Sequence, residues 1–196
     1  MKEKNDRKSM YMSILIAFVM ISSAFAVVLY GFGDNSTSLR YNKYKFKVTN
    51  LGFETKIDGK LYYFDSVPQD VLGINVSSGI RDLILNGQAI IITSDPTSSY
   101  VQEIAVASYT LQTALSKMNK QAVNAFTKEG GKLPVFTCAN ATQTLPIIEI
   151  KESNTTEAII VDNCITLYFS SGYDLQRLDS AVIYHILGVI DGQSSE

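Results

Sequence analysis

Cys138 and Cys164 are the only thiols in this 196-residue chain, and Cys138 stands two positions before Asn140, the head of an Asn-Ala-Thr sequon. Two chemistries compete for an isolated cysteine pair. In an oxidising compartment it is bridged; kept reduced, it behaves as two small apolar groups. A bridge would enclose about 25 residues and contribute on the order of 3 kcal/mol by chain entropy. The chain has no third thiol to resolve an exchange, and no His or basic residue lies near either cysteine in sequence. The expected bridge is therefore structural rather than reactive. Sequons also begin at Asn35, Asn75 and Asn154. Asn35 is too near the expected membrane span to be a good acceptor, which leaves Asn75, Asn140 and Asn154, with Asn154 in "KESNTTE" the best placed.

Other reactive patterns are sparse. The single histidine, His185, sits in "VIYHILG" on an amphipathic helix, where a structural role is expected. One His without a Cys-x-x-Cys pair gives neither a zinc set nor a dithiol redox motif. There is no G-x-S-x-G elbow, and Ser171 in "SSGYD" reads as a turn before the last helix. Asp174 and Asp179, five apart, do not share a helical face and read as solvated charges. No catalytic residue, metal ligand or cofactor is assigned.

The one stretch that suits a ligand is "SDPTSS", Ser94–Ser99, after an apolar strand and before a long helix. Ligands gather at the carboxyl ends of such strands, and helix N-termini favour anions. Ser94, Thr97, Ser98 and Ser99 would supply hydroxyls. The plainer reading is helix capping, with Ser99 and Gln102 as a capping box. Without a glycine-rich cradle, nucleotide binding is not expected.

The elements that must position these groups are set by periodicity. "YKFKVT" and "FETKI" alternate, and Asp58-Gly59 turns the second into "KLYYF", an N-terminal meander. Ser78 is placed to cap a short helix ending at Asn86-Gly87. "QAIIIT" is a strand buried on both faces. A helix from about Ser99 to Gly130-Gly131 buries Val101, Ile104, Ser108, Leu111 and Leu115, and "LPVFT" then completes a βαβ unit. "PIIEI", "EAIIV" and "CITLYF" form a second meander, and Leu175–Ile190 is a final amphipathic helix. The strand directions place Cys138 and Cys164 at one sheet edge.

Before all this, residues 11–32 contain no charged residue. At 1.5 Å per residue they would cross a bilayer core of about 30 Å. Lys2, Lys4, Arg7 and Lys8 precede them, so the positive-inside rule puts the N-terminus in the cytoplasm. Two readings stay open, an uncleaved signal anchor or cleavage after Ala26. Both export the remainder of the chain. The expected organisation is a cytoplasmic tail (1–10), a transmembrane signal anchor (11–32), a tether (33–42) and one extracytoplasmic mixed-sheet α/β domain (43–191).

Charge is divided unevenly. Arg40, Lys43, Lys45, Lys47, Lys56 and Lys60 face only Glu54 and Asp58 in their segment, a balance of +4. From Leu61 onward seven basic residues meet fourteen acidic ones. Such a basic segment beside a membrane suits lipid headgroups or an anionic envelope polymer, or is simply a solvated strand face. Six charges alone do not make a nucleic-acid surface, and nucleic acid is not an expected partner.

The stretches "TCANATQTLPIIEI", "NTTEAIIVDNCITLYF" and "DLQRLDSAVIYHILGVI", with the anchor, resemble uncharacterised single-span archaeal envelope proteins. The resemblance implies an envelope-facing domain and supplies no activity or site residue. The expected function is that of a noncatalytic membrane-anchored domain that binds a protein partner or supports an envelope complex. The alternative is an enzyme or small-molecule binder with its site near Ser94–Ser99 and Cys138.

Overall fold

The computed structural model describes residues 11–12, 14–22 and 38–190. Residues 11–12 and 14–22 are helical and exposed, and belong to a unit separate from the domain that begins at Ser38. Among the described residues no helix is long and apolar enough to cross a membrane. The second half of the expected span (23–32), the tail 1–10, Asn35 and Asp191 lie outside the described residues.

The domain is mixed α/β with two sheets. Strands β1 (Ser38–Tyr41), β2 (Tyr44–Thr49), β3 (Gly52–Ile57) and β4 (Lys60–Phe64) form an antiparallel meander in chain order. Asp58 (φ 48°) and Gly59 (φ 81°) supply the two left-handed residues that a tight β3–β4 turn needs. The expected tether through residue 42 is corrected here: "SLRY" is strand β1, paired with β2 from Ser38↔Lys47 to Tyr41↔Tyr44. Phe46, Thr55, Ile57, Tyr62 and Phe64 are buried on one face while their neighbours point outward, the period-2 pattern of a half-covered sheet.

A short helix α1 (Pro68–Val71), a two-residue strand β5 (Asn75–Val76) and α2 (Ile80–Asn86) lead into the second sheet. Ser78 does not cap α2; left-handed Gly79 takes that position. Then come β6 (Ala89–Ser94), α3 (Val101–Lys117), β7 (Gln121–Phe126), β8 (Ile147–Glu152), β9 (Glu157–Val161), β10 (Cys164–Phe169) and α4 (Gly172–Leu187). The sheet order is β5-β9-β10-β8-β6-β7.

The βαβ unit exists, β6 and β7 being parallel, but its second strand is not "LPVFT". Helix α3 stops at Lys117 because Met118-Asn119 turns the chain, with Asn119 at φ 61°. Residues 121–126 form the edge strand instead, and 133–137 keep one parallel bridge, Phe126↔Val135. The second meander is also corrected. β10 inserts between β9 and β8, antiparallel to the first and parallel to the second. Five of its six residues are buried, so it takes an interior place where both faces are covered.

Helix α4 is the hub. Ten of its residues are buried, and a helix that is apolar nearly all round belongs in a core. It contacts α1, α2 and α3 and lies against β10. Its Tyr184 ring stacks on Phe64 at 4.1 Å and meets Phe46 edge-on at 5.9 Å, tying the four-stranded sheet to the rest. The Tyr184 hydroxyl donates to the Ser66 carbonyl at 2.7 Å.

Helix α3 buries Ile104, Ala107, Ser108, Leu111, Ala114 and Leu115, whereas Val101, expected on that face, is half exposed in the first turn. Leu111 is fully buried in the main core. Leu111→Ala is therefore expected to cost about 2–5 kcal/mol by the transfer and cavity terms. An unchanged denaturant midpoint would put that face in solvent.

Candidate functional site

The face of the six-stranded sheet away from the main core carries a strap. Ile91, Ile147 and Cys164 stand in register, and Thr93, Glu149 and Thr166 form the next row. Residues 133–145 run back across this face. The Thr93 hydroxyl donates to the Phe136 carbonyl at 2.8 Å near one end, and the Gln88 amide donates to the Thr144 carbonyl at 2.8 Å near the other. Phe136, Cys138, Ala141 and Leu145 pack over Ile91, Ala125, Ile147 and Cys164 as a second small core.

The strap is built locally from turn chemistry. Asn140 closes a capping box on Thr137, and the Thr142 hydroxyl accepts from the Leu145 amide at 3.1 Å. One covalent bond fixes it: Cys138 and Cys164 form a disulfide with their Cα atoms 5.3 Å apart. The expected pairing is present, but the expected geometry is not. Because β10 is parallel to β6 and β8, Cys164 starts level with Ile91 and Ile147 rather than at the far edge, and it is the returning strap that brings Cys138 to it.

At the carboxyl end of β6 a cleft of about 490 Å³ is lined by Asp95, Thr97, Ser98, Ser99, Glu149 and Glu152, among others. Glu149 joins the cleft to the disulfide, its Oε2 lying 2.8 Å from Cys138 Sγ. The candidate edge and Cys138 are thus parts of one region. Ligand atoms of Cys138, Cys164 and Glu149 lie within 4.8 Å of one another, but the disulfide occupies both sulfurs and leaves only the carboxylate as a metal donor.

The hydroxyls do not point at an empty anion site. Asp95 accepts from the Thr97 amide at 2.7 Å and hydroxyl at 2.8 Å, and pairs with Lys128 at 2.8 Å. The Lys128 hydrogen bond, then those from Thr97, pull the Asp95 carboxyl down to about 2. The Ser98 hydroxyl bonds Glu152 and accepts from the Tyr100 amide. Helix α3 starts at Val101 with no side-chain cap, so the Ser99 capping box is not formed. Ser94 is buried in β6, and Ser99 is exposed on the rim. Asp95, Glu149 and Glu152 are set against Lys151 on the rim and Lys128 on Asp95, so the cleft is of mixed charge and not a ready-made anion site.

Ser171 caps α4 by accepting from the Asp174 amide at 3.1 Å, and the Ser171 and Ser170 hydroxyls hold the Asp174 carboxyl below its usual range. His185 is half-buried on α4 beside Arg81 and Gly188. Of the sequons, Asn75 donates to Glu157 at 3.0 Å and Asn140 accepts from Thr137, whereas Asn154 is exposed in the β8–β9 turn. Asp179 departs most from its sequence reading. It is buried on α4, not solvated, and its Oδ1 has no partner among the described residues. Sequence reasoning also passes over Glu149 and Glu152, though a lone acid among isoleucines in "PIIEI" marks a strand position that is not simply core.

No protein family, curated protein or solved structure matches the chain.

Proposed function

We propose that the chain is a noncatalytic, membrane-anchored extracytoplasmic domain that engages a partner at the cell envelope. The observation that carries this reading is the Cys138–Cys164 disulfide, which fastens the strap to the sheet. Such bonds persist where the surroundings oxidise thiols. The uncharged run 11–32 behind a basic leader supports the same placement. The polar groups of the cleft are engaged in local structure, Asp95 by Lys128 and Thr97 and Ser98 by Glu152, which suits a binding platform better than a reactive centre. The alternative, a small-molecule binder or enzyme at this edge, draws on the cleft itself, which is the right size for a small ligand.

Protease added to intact cells tests the placement. Residues 38–190 should be digested from outside while an N-terminal tag survives until lysis. Full protection before lysis would overturn it.

A further inference from the structure

We infer that the outward face of the four-stranded sheet docks on an anionic lipid surface, an inference that rests on the anchored reading above. The sheet register sorts its outward residues into two rows. Ser38, Lys47, Glu54 and Tyr63 stand opposite one another in turn across β1 to β4, a row of mixed charge. The second row is Arg40 opposite Lys45, then Lys56 opposite Leu61, with Lys45 and Lys56 flanking the Phe46–Thr55 pair. That row has three cations and no acid.

Like charges side by side across strands oppose sheet formation. Arg40, Lys45 and Lys56 are all exposed, and none makes an ion pair among the described residues. Some cations elsewhere in the domain are engaged: Lys128 with Asp95, Arg177 with Asp174, and Lys120 with the carbonyls of Leu85 and Gly87. Lys43 sits at the β1–β2 turn, at the same end as this row, with Asp58 at the β3–β4 turn the one acid there. Lys60, opposite buried Ile57, lies on the other face and donates to the Lys117 carbonyl. The fold thus gathers four cations, Arg40, Lys43, Lys45 and Lys56, at one end of the sheet, and their counter-charge must come from outside.

Two facts choose the occupant. Residues 33–37, between the uncharged run and β1, reach at most about 18 Å when extended. An anchored sheet is held beside the headgroups at high effective concentration. A second copy would present the same positive face and be repelled. The surface also carries exposed Leu61 beside Lys56 and exposed Tyr63 in the other row. Tyrosine favours the headgroup layer, and lysine stems can lie along apolar surface while their ammonium groups reach phosphate. Each cation near an anionic leaflet is worth about fivefold in affinity, screened over a Debye length of about 10 Å at moderate salt.

The test uses the full chain reconstituted into vesicles of phosphatidylcholine, with or without phosphatidylglycerol. Acetylation rates at Lys45 and Lys56 are read by peptide mass mapping against exposed Lys132. In anionic vesicles at low salt both lysines should react about fivefold more slowly relative to Lys132, the factor expected for one cation at an anionic leaflet, and high salt or neutral lipid should abolish the difference. In a K45E/K56E variant, Lys43 should lose its own protection. Equal rates in both lipids would overturn the inference, as would protection indifferent to salt, which would assign the face to a protein contact. Alkaline carbonate extraction reads the anchor separately. A chain that washes off sinks the anchored reading, while salt-sensitive protection by anionic vesicles would still uphold the basic face.

Discussion

Asp179→Asn is expected to stabilise the domain above neutral pH, because it removes a carboxyl that must stay protonated to be buried. The gain grows by about 1.4 kcal/mol for each pH unit between the unfolded and folded carboxyl values. Asp179 is 2% exposed at the centre of α4, and one carboxyl oxygen finds no partner among the described residues. Burial, and then the charge of Asp65, push its carboxyl well above the usual range, and burial raises Asp65 as well. Linkage gives the sign. The folded state holds the proton to higher pH than the unfolded chain, whose carboxyl titrates near about 4. The stability associated with this proton is therefore complete below about pH 4 and lost as pH rises through the folded-state value. Melting curves across that range should fall for the native chain and flatten for the asparagine variant. Parallel curves for the two would show that Asp179 meets water or a counter-charge after all.

Reduction of Cys138–Cys164 should lower stability by about 3 kcal/mol, since the bridge joins residues 26 apart and removes that loop entropy from the unfolded chain. The loss should begin locally. Once freed, strap residues 133–145 keep only the small cluster over Ile91, Ala125 and Ile147 and a few hydrogen bonds. Amide exchange should therefore rise first there, and not in β10 or α4. Uniform exchange across the domain on reduction would mean that the strap is held by packing and the bond adds little. Peptide mapping without reductant settles whether the bond is present at all.

The strands with strong local signals are legible in the sequence. Alternation in "YKFKVT" and "FETKI" and the Asp58-Gly59 turn suffice for β2 to β4, and the apolar run at Ala89–Ser94 is recognisable as interior strand. Elsewhere tertiary context outweighs local pattern. "QAVNAF" carries two alanines that suit a helix, yet becomes β7 because Asn119 has already turned the chain beside an open edge of β6. "SLRY" is too short to announce a strand and is one because β2 offers it a partner. The insertion of β10 between β8 and β9 reflects burial on two faces, which the order of elements along the chain does not encode. The same holds at the site. The cysteine pair is legible as a bridge and Ser94–Ser99 as an edge loop. That Glu149 joins them depends on sheet register, and the burial of Asp179 depends on α4 having neighbours on every side.

That central placement of α4 has a consequence for biogenesis. All ten strands precede it in the chain, yet Tyr184 is the ring on which Phe46 and Phe64 close, and Leu175, Leu178 and Val182 belong to the main core. During synthesis the core between the two sheets cannot close until the segment through Leu187 has emerged. A nascent chain halted before Gly172 has strands but no keystone. It exposes apolar strand surface to chaperones meanwhile. The last helix thus sets the moment of folding, and the domain completes itself only when its final turns are delivered.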